Sequence, residues 1–101
     1  MHELEIPPAA RRDDRSVELV RAWVAEGAQW ISLNPHLFRD RDFAEEDAWG
    51  MFLADTVRHL ARAIGAASDA PAAEVEHRIH AALERELARP TSTVRGGYLE
   101  D

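Results

Sequence analysis

Apolar and polar residues alternate along this chain at several different spacings, and each spacing predicts an element. Residues 2–6, HELEI, place Leu4 and Ile6 on one side, predicting a short N-terminal strand that Pro7 and Pro8 end. From Asp13 to Glu26, residues Val17, Leu19, Val20, Trp23 and Val24 fall on one broad face at helical spacing. With Asp13 and Asp14 as N-caps and Gly27 as the stop, that spacing predicts a first helix. In the stretch AQWISLNP, Gln29, Ile31 and Leu33 face one way and Trp30 the other, which predicts a strand over 28–34 ended by Pro35.

After a loop, PHLFRDRDF, Asp42 and Glu45 have the spacing of a capping box, with Asp47 as an alternative start. The second helix then runs to about Ile64 with Trp49, Phe52, Leu53, Thr56, Val57, Leu60 and Ile64 as its core stripe, and Gly65 ends it. AASDAPAA reads as a turn in which Asp69 caps a third helix. That helix carries Val75, Ile79, Leu83 and Leu87 four apart and stops before Pro90. TSTVRGGYLED reads as a loose tail, although residues 93–99 can add a strand wherever they find an open edge.

The fold class this predicts is α+β: one small domain over 1–101, helix-strand-helix-helix with a short N-terminal strand. Residues 1–12 are its extended arm, 13–90 its core and 91–101 its tail. A lone strand leaves backbone donors and acceptors unpaired on both edges. The 28–34 segment therefore needs a partner, supplied within the chain by residues 2–6 or the tail, or across a dimer by a second copy of itself.

Composition narrows the function classes. The formal net charge is -7, and all 12 basic residues are arginines scattered among 19 acids. That surface repels phosphate, so no nucleic-acid partner is expected. There is no cysteine, which excludes disulfides and thiolate chemistry. The first residues lack the basic region and apolar core of a signal peptide, and no run approaches the ~20 apolar residues of a membrane span. A cytoplasmic protein with no membrane partner is the expectation.

The stretches LEIPPAA, ELVRAWVAEG, QWISL and above all WGMFLADTVRHLARA make the chain resemble a small family of uncharacterised bacterial, proteobacterial proteins, a domain of unknown function. The resemblance covers roughly residues 4–65 and continues by overall plan to the RPT at 89–91. It implies no assigned activity, cofactor or catalytic residue.

Three constellations could carry chemistry. Asp55, Arg58, His59 and Arg62 share the polar side of the second helix, where a carboxylate four residues before an imidazole can orient it for acid-base work. As a bland reading, they are helix-surface pairs worth ~0.2–0.5 kcal/mol each. Met51 and the small Ala54 and Ala61 lie on that side too, which points to a seam covered by another subunit or by the tail. Glu74, His77, His80 and Glu84 have a spacing used by carboxylate metal sites, but His77, His80 and Glu84 project away from the face of Val75, Ile79, Leu83 and Leu87, so neither a metal nor a cofactor is expected. Finally, Trp23, Trp30 and Trp49 with Phe38, Phe43 and Phe52 are mostly core, and Trp30 is the exception, since it faces away from Ile31 and Leu33.

No Gly-rich phosphate loop, G-x-S-x-G elbow or H-E-x-x-H pair is present, and the serines at 16, 32, 68 and 92 stand in no motif. The expected function is a non-enzymatic, self-associating interaction or accessory domain: a homodimer, open to an unknown protein partner. Its interface or pocket residues are Trp30, Met51, Asp55, Arg58, His59 and Arg62. The competing reading is a small enzyme or ligand-binding protein using Asp55, His59 and Arg58 in an aromatic-lined pocket for an anionic metabolite.

Overall fold

A computed structural model describes residues 1–99. The chain is α+β, and it divides into two compact units: Met1–Leu37 together with the C-terminal residues from Val94 on, and Phe38–Thr93.

The first unit is a three-stranded sheet with a short helix, α1, at Pro8–Arg12. Strands β1 (Val20–Ala25) and β2 (Ala28–Leu33) form an antiparallel hairpin, and β3 (Val94–Arg95) runs parallel to β2 on its other side, in the order β1-β2-β3. The first predicted helix is thus replaced by a strand. Val20, Trp23 and Val24 fit a helical face by spacing, but β-branched and aromatic side chains pack as well on a pleated surface. The turn decides between the two: Glu26 and Gly27 both take positive φ, 53° and 71°. This is the backbone of a two-residue hairpin whose twist matches its strands. Asp13, predicted to cap that helix, instead ends α1, and its Oδ1 accepts the Arg15 N–H at 2.9 Å in a local turn.

The predicted N-terminal strand over 2–6 has no regular structure. The tail supplies the missing pairing. Leu33 N–H donates to the Gly97 carbonyl at 3.1 Å and Leu99 N–H to the Leu33 carbonyl at 3.0 Å, extending β3 by a parallel bridge between Leu33 and Tyr98. The need for a partner beside residues 28–34 is therefore met inside the chain, on both edges of β2. Gly96 makes this approach possible: its φ is 122°, and a Cβ there would collide with the Ile31 backbone carbonyl.

The second unit is a helical hairpin, α2 (Glu45–Ser68) packed on α3 (Ala72–Ala88). Ala44, which has no capping side chain, is the N-cap of α2 in place of Asp42, and Glu45, Glu46 and Asp47 set negative charge in the first turn where the helix dipole favours it. Asp69 is not a cap for α3 but closes α2 in the left-handed conformation, φ 56°, while the Ala70 N–H donates to the Gly65 carbonyl at 2.9 Å. Gly65, predicted to end the helix, lies inside it.

The packing of the hairpin also departs from the predicted stripe. Ala61, Gly65 and Val75 are buried, so the helices approach through small residues, with Val57 and Ile79 half-buried beside them. Leu53, Leu60 and Ile64 remain exposed. At the start of α2, Phe38, Trp49 and Phe52 form a chain of edge-on rings with centroids 5.9 and 5.6 Å apart, and Phe43 leans on Phe38 at 6.2 Å. No helix among the described residues is long and apolar enough to cross a membrane.

Candidate functional site

The polar side of α2 is built around Arg58. Its Nη1 donates to Asp55 Oδ1 at 3.1 Å, one turn back, and its Nε stands 3.7 Å from Glu76 Oε1 on α3. Asp55 therefore serves the arginine and not His59. The guanidinium carries a fixed charge and reaches the i−3 carboxylate without distorting the helix. His59 and Arg62 are exposed and make no hydrogen bond or ion pair among the described residues, and Met51 is 69% exposed.

Arg58 and Glu76 border a groove of about 680 Å³ along the hairpin. Its lining includes the apolar Leu53, Ala54, Val57 and Leu83 together with His77 and His80. Neither Asp55, His59, Arg62 nor Met51 lines it. The sequence-predicted group is therefore split: Arg58 belongs to the groove, and the other α2 members do not. Glu76 and Leu83 are the contributors that sequence reasoning missed as partners. Which α3 residue stands opposite Arg58 depends on how the hairpin closes, and no local spacing encodes it.

The second constellation is satisfied along its own helix. Glu74 pairs with Arg78 at 3.0 Å and His80 Nε2 stands 3.3 Å from Glu84 Oε1, both across one turn of α3. No three His, Asp or Glu side chains converge on a metal position among the described residues.

Trp30 lies in the other unit, on the sheet. Register places it directly opposite Trp23, so both indoles share the sheet face that Ile31 and Leu33 do not. Its Nε1–H donates to the Ala25 carbonyl at 3.0 Å, which satisfies the indole at the turn. The tail adds the third member: Arg95, in register with Trp30, holds its guanidinium 5.8 Å from the ring centroid. Beside this pair Arg21 is engaged by Glu18, whose carboxylate accepts from Nε at 3.2 Å, with Glu3 at 3.9 Å, and the Glu18 hydrogen bond holds the guanidinium pKa above its usual value.

Compared with known proteins, the chain matches the family model described as Domain of unknown function (DUF5076) over residues 3–91. It is also similar to the solved structure of a proposed pyruvate dehydrogenase from the photosynthetic bacterium Rhodopseudomonas palustrus CGA009, with 30% identity and a TM-score of 0.69, covering 92% of this chain and 90% of that one. No curated protein matches it.

Proposed function

We propose that this chain, which belongs to the Domain of unknown function (DUF5076) family, acts as a non-enzymatic interaction domain that associates with a second copy of itself. The observation that carries this reading is the surface. Among the described residues Ala61 and Val75 are the buried apolar side chains, while Val24, Met51, Leu53, Leu60 and Ile64 are among the large ones left in water. Large apolar side chains left exposed in such number mark a surface suited to being covered. The lone-strand need no longer supports association, because β1 and the tail satisfy it.

The test is the mass in solution. Light scattering at micromolar concentration should return twice the chain mass of 11.4 kDa, and a monomer at that concentration refutes the reading.

A small anionic ligand is the second reading, favoured by the groove beside Arg58 and by the name of the Rhodopseudomonas neighbour. Against it stands the charge balance. Two carboxylates, Asp55 and Glu76, already face the one guanidinium, so an incoming anion meets repulsion from both. Titration of pyruvate followed by calorimetry should give no saturable heat; saturable binding that Arg58→Gln abolishes would replace the interaction reading with this one.

A further inference from the structure

We infer that residues 2–6 are a strap for the outer edge of β1, closing onto it as a fourth, antiparallel strand with Glu3 opposite Arg21 and Leu4 opposite Val20. The strap and the edge both belong to the first unit, and closure does not depend on self-association.

The edge is open. In the β1-β2 hairpin the two-residue turn at Glu26 and Gly27 makes Ala25 and Ala28 a hydrogen-bonded pair, and such pairs recur at every second residue. The Asn34 N–H donates to the Leu19 carbonyl at 3.0 Å, which agrees with that phase. Arg21, Trp23 and Ala25 therefore direct their backbone groups at β2. Val20, Ala22 and Val24 turn theirs outward, where no hydrogen-bond partner meets them among the described residues. A bare edge of this kind is what proteins ordinarily cover, because it can pair with another chain.

The arm already lies beside it. Residues 2–7 and β1 residues 20–23 border one hollow of about 770 Å³, and Glu3 Oε2 stands 3.9 Å from Arg21 Nη1. Two contacts set the direction. The Ser16 hydroxyl donates to the Ala10 carbonyl at 2.7 Å, while the earlier Glu3 reaches the later Arg21. The arm therefore runs antiparallel to the chain that enters β1.

With Glu3 opposite Arg21, Leu4 stands opposite Val20 and His2 opposite Ala22. The outward groups of Val20 and Ala22 then face Leu4 and His2, and each pair can exchange both of its hydrogen bonds. Leu4 and Ile6, 93% and 48% exposed, go to the face of Val20 and Leu33, away from Trp23 and Trp30. Glu3 goes to the other face with Arg21, an opposite-charge cross-strand pair, and Pro7, which has no N–H, ends the ladder. Because α1 tethers the arm, closure is intramolecular and is favoured over pairing with a strand of another molecule.

Amide hydrogen exchange on the full chain tests the strap, with Val24, past the end of the arm, as internal reference. After correction for intrinsic rates, the Val20 and Ala22 amides should exchange at least about fivefold more slowly than Val24, the factor that one net hydrogen bond supplies. Leu4→Pro removes the Leu4 N–H and sets a ring against β1. It should erase the difference while the Trp23 and Ala25 amides, bonded to β2, keep their protection. Equal exchange at Val20, Ala22 and Val24 in the wild-type chain, or a difference that survives Leu4→Pro, overturns the strap.

A cross-link decides the matter even where Leu4→Pro unfolds the sheet. The chain has no native cysteine, and opposite residues of a hydrogen-bonded pair are about 5.5 Å apart, within disulfide reach. Mild oxidation of the double variant Leu4→Cys, Val20→Cys should close a disulfide inside one chain, read from the intact mass of the unreduced monomer. In Leu4→Cys, Val24→Cys the thiols are four residues out of register, about 13 Å, and should stay free. Absence of the first link, or an equal yield of the second, overturns the proposed register. A link between chains in place of the first overturns closure within the chain.

Discussion

Arg58 Nε lies 3.7 Å from Glu76 Oε1, and this contact ties the middle of α2 to α3. Both side chains are about half in water, 54% and 45% exposed, so the pair holds the hairpin together only weakly. A double-mutant cycle with Arg58→Gln and Glu76→Gln should give a coupling of about 0.2–1 kcal/mol, reduced further at 1 M salt, where the screening length is about 3 Å. Urea unfolding of the four proteins measures it. A salt-insensitive coupling of several kcal/mol would mean that the pair is desolvated, as it would be inside an interface.

The β1-β2 turn is sequence-improvable. Glu26 sits at φ 53°, a left-handed conformation that costs a non-glycine residue roughly 1–2 kcal/mol and that asparagine tolerates better. Glu26→Asn should therefore raise stability by about 0.5–1 kcal/mol by matching the Asn-Gly preference of such hairpins. Thermal unfolding reads the change; a loss of stability would show that the Glu26 side chain contributes more than its backbone strain removes.

The same turn explains what the sequence hides. Glycine at positive φ closes a helix as readily as it forms a hairpin, so Gly27 fits both predictions, and the i, i+3, i+4 spacing of Val20, Trp23 and Val24 selects the helix. Only the β-branched and aromatic content argued for a strand. Trp30, Ile31 and Leu33 were legible because alternation there competes with no helical period, and α2 and α3 were legible because their apolar spacing persists over many turns. The α2 stripe was legible as apolar but not as exposed. Helix contact at Ala61, Gly65 and Val75 is chosen by how closely two backbones can approach, and that depends on both helices at once. Likewise Arg95 over Trp30 and Glu76 beside Arg58 are pairings between distant residues, which no local pattern specifies.

Gly96 should be among the least replaceable residues of the tail. Its φ of 122° and the collision of any Cβ with the Ile31 carbonyl mean that alanine must push β3 off β2. Gly96→Ala should cost about 1–3 kcal/mol. Gly97→Ala is the control, since nothing lies within 4 Å of a Cβ there. Amide hydrogen exchange should show faster exchange at Leu33 and Leu99 in the first variant and not in the second. Equal exchange in both would show that the tail is held without Gly96.

Gly65→Ala sets two effects against each other. Alanine is favoured inside a helix by roughly 0.5–1 kcal/mol, but a Cβ would stand 2.8 Å from the Ala70 carbonyl oxygen and 3.5 Å from the Ala72 Cα. These are backbone atoms in a turn fixed by Asp69, so they cannot swing aside as a side chain would. Overpacking at a buried site costs about 1–3 kcal/mol, which exceeds the propensity gain. The variant should be less stable by urea unfolding; a stabilised variant would show that the α2-α3 turn yields at little cost.

The end of α3 carries an acid-sensitive contact. The Glu86 carboxylate accepts the Thr91 N–H at 3.0 Å and the Thr91 hydroxyl, and these hydrogen bonds hold its pKa below the ordinary carboxylate range. Because the folded value is the lower one, the unfolded chain binds the proton more readily. The contribution is complete above the unfolded pKa and is lost as pH falls through the folded one. The group is exposed, so the effect on global stability is small, and the local reporter is the better one. In a nuclear magnetic resonance titration the Thr91 amide should shift with a midpoint below that of a free glutamate, and Glu86→Gln should remove that titration while leaving the rest of α3 unchanged. A midpoint at or above the free value would mean that Thr91 does not favour the charged carboxylate and that α3 ends without this side-chain clasp.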